Sequence, residues 1–153
     1  MENLAIRRLN LPPLELYNNF WINEIRYESK KFNYKNYQLT DSAVKQIKSI
    51  INEEIVNNSQ VVYQEADHTF NNQVHKDISK WMLQYMIDDG GGILNSYGDK
   101  PLSVNQKPGE WILIDGHIDH SPTQITGIRK AISLKHKNDW TNSEKSWIAS
   151  IIK

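Results

Sequence analysis

Cysteine is absent from this chain. That absence excludes disulfide staples and thiolate metal sites, so any transition ion must be held by His, Asp and Glu. Charge of one sign is lacking as well: eighteen Lys and Arg residues face eighteen Asp and Glu. No global field therefore pulls the chain to nucleic acid or to an anionic membrane, and nucleic acid is not the expected partner. No apolar run approaches the roughly 20 residues of a membrane span, and residues 1–10, with Arg7 and Arg8, hold no long apolar leader. A soluble, cytoplasmic protein is expected. With 153 residues there is room for one sizeable core but not for two, so 1–153 is read as a single domain.

What is present divides the chain into three stretches. Residues 1–60 form an aromatic and helical support, with Tyr17, Phe20, Trp21, Tyr27, Phe32, Tyr34 and Tyr37 early on and Pro13 placed to open a short helix through Trp21. Thr40-Asp41-Ser42 then reads as a helix start, and Val44, Ile47, Ile51 and Ile55 recur at helical spacing, which predicts a helix over 41–57. From Val61 the period changes to short apolar runs at 61–65, 73–77, 81–87, 91–95, 102–104, 110–115 and 127–135, separated by Gly, Asp and Asn. Runs of that length and spacing predict a β-sandwich or barrel over 61–136. A closing helix over 141–153 starts at Thr141-Asn142-Ser143-Glu144, which has capping-box form, and carries Trp147, Ile148, Ile151 and Ile152 as an apolar stripe. The expected fold class is mainly β with flanking helices.

One constellation carries chemistry: His75, Asp77 and His120, with Arg129 nine positions beyond the second histidine. Side chains two apart on a strand share a face, so His75 and Asp77 can reach one ion while Lys76 points away. The distance in sequence from Asp77 to His120 lets the chain cross a sandwich and return with a third ligand. Two imidazoles and a carboxylate on one face of an octahedral ion leave three positions open, enough for a bidentate cosubstrate and dioxygen. Arg129 offers the planar fork that suits the far carboxylate of a chelating diacid. On a strand over 127–135, Arg129, Ala131 and Ser133 would face the pocket while Ile132 and Leu134 face a helix layer, with the 41–57 helix as its cover. His117-Ile118-Asp119-His120 contains a second His-x-Asp; the preferred ligand there is His120 alone, at the end of the Trp111–Ile114 strand, with His117 and Asp119 as turn or pocket-mouth residues.

The stretch from Val61 to His136 resembles the double-stranded β-helix (jelly-roll, cupin-like) core of the Fe(II)- and 2-oxoglutarate-dependent dioxygenases, nearest their prolyl-hydroxylase-like branch. Val74-His75-Lys76-Asp77 resembles that family's HxD strand, and Leu83-Gln84-Tyr85-Met86-Ile87-Asp88-Asp89 its "YLN" strand. Gly90-Gly91-Gly92-Ile93-Leu94 resembles "GGxL", and Lys107-Pro108-Gly109-Glu110-Trp111-Ile112-Leu113-Ile114 resembles the "KPGxLvlF" strand. His120-Ser121-Pro122-Thr123 and Gly127-Ile128-Arg129 resemble the distal histidine and the "GxR".

The resemblance implies that His75, Asp77 and His120 bind Fe(II) and that Arg129 pairs with the C5 carboxylate of 2-oxoglutarate. It also implies that Tyr85 adds a hydroxyl donor to that carboxylate, with Tyr63 on the pocket wall. Ile87 replaces the "YLN" asparagine, and Ala131 stands where a serine often follows the arginine, with Ser133 two further on. The activity implied is hydroxylation of a C–H bond with O2, giving succinate and CO2. The substrate implied is a prolyl or other residue in a protein or peptide, or a free amino acid or other small molecule. Two other classes use the same parts: a non-catalytic metal-binding module on this fold, and a cupin-type metal-dependent hydrolase or isomerase, which has no need of Arg129.

Overall fold

The computed structural model describes residues 5–153; Met1 to Leu4, the start of the segment read as holding no leader, lie outside them. A seven-stranded sheet contains β1 (Ile6–Leu9), β2 (Trp21–Ser29), β3 (Tyr34–Leu39), β4 (Ser59–Ala66), β5 (Trp81–Met86), β8 (Trp111–Asp115) and β10 (Arg129–His136), in the order β1-β8-β5-β10-β4-β3-β2. A three-stranded sheet contains β6 (Ile93–Ser96), β7 (Leu102–Asn105) and β9 (His120–Thr123), in the order β7-β6-β9. The pairings are antiparallel. From β4 onward the chain passes repeatedly from one sheet to the other, and the 73–77 run joins the smaller sheet through a bridge between His75 and His120. This winding is a double-stranded β-helix, mainly β with flanking helices.

Alternation along the strands explains why two cores form. On β10, Ile132 and Leu134 point to one face, where they pack with Tyr63, Leu83, Tyr85 and Trp111 under α1 (Asp41–Ile50) and α2 (Glu53–Asn57). The opposite face closes on the smaller sheet, where Ile6, Met82, Ile112 and Ile114 meet Leu94 and Val104. The functional cavity occupies this second interior, between the sheets.

The expected 41–57 helix is two helices. Thr40 caps α1 by accepting from the Ala43 backbone N–H, and the chain turns extended at Ile51 before the Asn52 side chain accepts from Ile55 and starts α2. Ile47, Ile51 and Ile55 nevertheless stay buried on one face, so the apolar stripe crosses the break. The helix expected from Pro13 to Trp21 is absent. Residues 10–20 instead tie to the strands, with Trp111 Nε1 donating to the Pro12 carbonyl at 3.1 Å and the Leu14 N–H donating to the Tyr85 hydroxyl at 3.2 Å. Leu14 and Phe20 bury their side chains in the helix-side core, and of the aromatics that follow Trp21, Tyr27, Tyr34 and Tyr37 belong to β2 and β3 while Phe32 sits in the turn between them. The closing helix is α3 (Asn142–Ile151), with the Thr141–Glu144 capping box formed. No helix among the described residues is long and apolar enough to cross a membrane.

Candidate metal centre and its cavity

Residues 73–79 alternate in exposure before the chain bends at Ile78: Gln73, His75, Asp77 and Ser79 are turned partly inward, while Val74, Lys76 and Ile78 are exposed. Two reciprocal backbone hydrogen bonds, His75 N–H to His120 C=O at 2.9 Å and His120 N–H to His75 C=O at 3.0 Å, lock the two histidines side by side. Asp77 is held by its N–H on the Gly116 carbonyl at 2.7 Å. Gly116 is required there, since a Cβ would fall 2.2 Å from the Ser79 carbonyl oxygen and 2.9 Å from the Asp77 Cβ. His75, Asp77 and His120 thus bring one ligand atom each within 4.8 Å of one another.

The ring nitrogens are already sorted. Nδ1 of His75 lies 2.7 Å from the Gln73 carbonyl oxygen, and Nδ1 of His120 lies 2.7 Å from that of Ile118. Each Nδ1 therefore donates to a carbonyl, and each neutral ring turns a bare Nε2 lone pair inward, the tautomer a metal ligand needs. His120 Nε2 sits 3.3 Å from Asp77 Oδ2, and His75 Nε2 sits 3.6 Å from Asp77 Oδ1. Asp77 Oδ2 is buried without a hydrogen-bond partner among the described residues. Lone pairs facing each other in this way call for a cation between them, and these donors fit a divalent ion such as Fe(II).

The titration of the three groups shows that a proton competes with an ion for Nε2 of His120 but not for that of His75. Burial holds His75 below the usual histidine value. Burial acts likewise on His120, but the Asp77 carboxylate outweighs it and holds that ring above the usual value. For Asp77, burial would raise the carboxyl, and the two imidazoles outweigh burial to hold it low.

Arg129 lines the same cavity as the three ligands. Its side chain is buried, and no carboxylate of the described residues pairs with it. Two glutamines hold it: Nη2 donates to Gln84 Oε1 at 2.7 Å and to Gln106 Oε1 at 3.0 Å, and Nε to Gln106 Oε1 at 3.3 Å. The network continues from Gln84 Nε2 to Ser133 Oγ at 3.1 Å, from Ser133 Oγ to Gln64 Oε1 at 2.6 Å, and from Gln64 Nε2 to the Tyr34 hydroxyl. No hydrogen bond among the described residues uses Nη1, which leaves part of the fork for an anion. Burial lowers the guanidinium from its usual value, opposed by Tyr34 and Asp77. The inner chamber is small, about 50 Å³, and it shares Tyr34, Phe70, His75, Asp77 and Lys135 with an outer cleft of about 550 Å³.

Two residues expected at the cosubstrate lie elsewhere. Tyr85 pairs with Ile132 across β5 and β10, which puts it on the helix-facing side of the sheet against Trp111. Tyr63 also pairs with Ile132, stacks on Trp21 with ring centroids 3.7 Å apart, and donates to Glu65. Both are one position out of phase with the pocket, because alternate strand residues face opposite sides. His117 is exposed with Nε2 near the Ile78 carbonyl, and Asp119 faces Lys76, so the second His-x-Asp contributes neither residue to the ligand cluster, and His120 just after it is the ligand. Sequence reading missed Tyr34, Gln64, Gln84, Gln106 and Lys135. Period two counted onward from Arg129 would have reached Lys135, and a glutamine within the apolar 81–87 run was a visible signal at Gln84.

No family model and no curated protein matches the sequence. Among solved structures, the chain is similar to the HEPD of Streptomyces albus with 2-hydroxyethylphosphonate and Fe(II) bound, at 9% identity and a TM-score of 0.50, covering 76% of this chain and 24% of that one. It is also similar to the dioxygenase for auxin oxidation 1 of Arabidopsis thaliana in its 2-oxoglutarate complex, at 10% identity and a TM-score of 0.50, covering 82% of this chain and 69% of that one. The chain therefore spans only about a quarter of the first of these proteins. At such identities the likeness is one of fold, and it agrees with the double-stranded β-helix described above.

Proposed function

We propose that the protein is a non-haem Fe(II) oxygenase that uses 2-oxoglutarate and O2 to hydroxylate a C–H bond. One oxygen atom enters the substrate and the other enters succinate, with loss of CO2. The observation that carries this reading is Arg129: a buried guanidinium without a carboxylate partner among the described residues, opening on the same chamber as His75, Asp77 and His120. A buried cation needs a counter-ion, and a chelating diacid can supply one while its other end reaches the metal. The sequence resemblance to the prolyl-hydroxylase-like dioxygenases and the 2-oxoglutarate complex of the Arabidopsis neighbour support the same choice, while the Streptomyces neighbour supports Fe(II) alone.

In this reading His75, Asp77 and His120 hold the iron, which when bound supplies the activation of dioxygen together with the keto acid. The chain's own contributions are orientation and exclusion. The Gln73 and Ile118 carbonyls fix both imidazoles; Gln84 and Gln106 aim Arg129; and the small inner chamber limits the water beside the reacting groups.

The test is succinate release from 2-oxoglutarate by protein loaded anaerobically with Fe(II) and then exposed to air. His75→Ala should lower the rate at least about 100-fold. Arg129→Met should weaken 2-oxoglutarate binding to the zinc-loaded protein at least about thirtyfold, as expected for loss of one partner of a buried charge pair. Metal binding without any 2-oxoglutarate binding would defeat the proposal and leave the metal-binding module or the cupin-type hydrolase.

A further inference from the structure

The outer cleft contains a second cation that the metal centre does not use. Lys135 extends from β10 into the junction of the inner chamber and the outer cleft, whereas Arg129 lines only the inner chamber. Among the described residues its ammonium makes no hydrogen bond and no ion pair within 4.0 Å; it stands 5.9 Å from the centroid of the Tyr34 ring. Lys76, the other cation of the cleft, already faces Asp119 at 3.9 Å. The one carboxylate whose field reaches it is that of Asp77, which a bound ion would claim, so this half-buried ammonium beside the reaction site is open to a further anion.

One wall of the cleft is apolar, beside the polar side chains of Ser29, Gln60, Gln73 and Ser79. Phe32, Tyr34 and Phe70 form a ring wall, with Phe70 contacting Phe32 edge-on at 6.1 Å and stacking on Tyr34 at 5.4 Å between centroids. Phe70 then meets His75 at 5.4 Å, so the wall leads directly to the metal ligands. Tyr27, Val74 and Ile78 line the cleft with exposed side chains, the kind of apolar surface that marks a binding groove. Its volume of about 550 Å³ suits a compact small molecule.

We infer that the substrate is a small monocarboxylic acid, its carboxylate held by Lys135 and its apolar body lying along Phe32, Tyr34 and Phe70. The inference rests on the proposed cosubstrate. With a divalent ion, Asp77, Arg129, Lys135 and a dianionic keto acid in place, these groups keep a single positive charge, which one carboxylate cancels. A free amino acid fits less well, because Asp77 is the only acidic residue lining the cleft and it faces the ion, so the ammonium would find neutral acceptors such as Gln60 and Gln73 but no carboxylate of its own. A neutral peptide segment would leave Lys135 without an anion.

The experiment is calorimetry on zinc-loaded protein, with and without saturating N-oxalylglycine, using phenylacetate, 3-phenylpropionate and cyclohexylacetate, each beside its primary amide. At least one acid should bind about tenfold or more tighter than its amide. Lys135→Arg should retain the preference, and Lys135→Met should bring the ratio close to one while its melting temperature reports an intact fold. Equal binding of acid and amide, a preference that survives Lys135→Met, or no binding by any acid overturns the inference. Failure of N-oxalylglycine to bind would instead count against the cosubstrate reading, and the acid–amide ratio in its absence would still decide the role of Lys135.

Discussion

At the scale of single residues, the centre depends on close approach as much as on ligand chemistry. Gly116 lets the His75–Asp77 segment lie against the turn after β8. Gly116→Ala should push Asp77 away, weakening divalent-ion binding at least about tenfold and costing about 1–3 kcal/mol of stability; titration of zinc and urea unfolding measure the two effects. Tyr85→Phe should share the loss of stability but not the loss of binding. It removes the acceptor of the buried Leu14 N–H and should cost about 1–3 kcal/mol, yet it should leave 2-oxoglutarate affinity unchanged, because the ring faces the helices. The metal-facing cluster was legible in the sequence because His75 and Asp77 obey strand period and His120 closes a strand crossing. The phase of Tyr85 was not, since it follows from the register with β10, and register is a property of paired strands rather than of one.

Among the elements, α3 is fastened by an acid rather than by its apolar stripe alone. Glu144 closes the capping box by accepting from the Thr141 N–H at 2.8 Å, and its other oxygen lies 2.8 Å from His136 Nε2 at the end of β10. Burial would raise its carboxyl, but the Thr141 N–H, His136 and Asn58 together hold it below the usual carboxylate range. A depressed carboxyl stabilises the fold above its unfolded value, near 4.3, and loses that effect as pH falls through the folded value. Glu144→Gln should therefore cost about 2–3 kcal/mol at neutral pH, and the gap from wild type should shrink in acid, read as urea unfolding at pH 7 and pH 3.5. The capping-box signature at Thr141-Asn142-Ser143-Glu144 announced this helix. By contrast, the stripe through Ile47, Ile51 and Ile55 hid the break at Asn52, because apolar spacing records which face is buried and not whether the backbone hydrogen bonds run on. β2, exposed along most of its length, gave no alternation to read, and it exists through its pairing with β3.

For the whole molecule, the two cores are unequal in kind. The helix-side core is a continuous apolar layer, whereas the interior between the sheets gives part of its space to Arg129, Gln84, Gln106, Ser133 and Gln64. Ion binding ties the 73–77 segment to β9, so metal should stabilise the entire fold. A divalent ion at about 100 times its dissociation constant adds about 2.7 kcal/mol, a melting shift of roughly 5 to 10 °C for a domain of this size. Thermal scans with and without zinc should show that shift in wild type and not in His75→Ala. The short apolar runs made a sandwich or barrel readable, and the winding came from the family resemblance, since run spacing does not fix how strands cross between sheets. The polar network was not, because its members come from β3, β4, β5, β10 and the Gln106 turn and meet only once the sheets have closed.

Each imidazole is braced by a carbonyl just two residues behind it, Gln73 for His75 and Ile118 for His120. The imidazole-orienting parts are consequently short local units that would keep their geometry when grafted onto any scaffold able to set two antiparallel segments side by side, provided a glycine stands where Gly116 receives Asp77. Choice of reacting molecule is not portable in that way, for it is distributed over distant strands and would have to be rebuilt with the barrel around it.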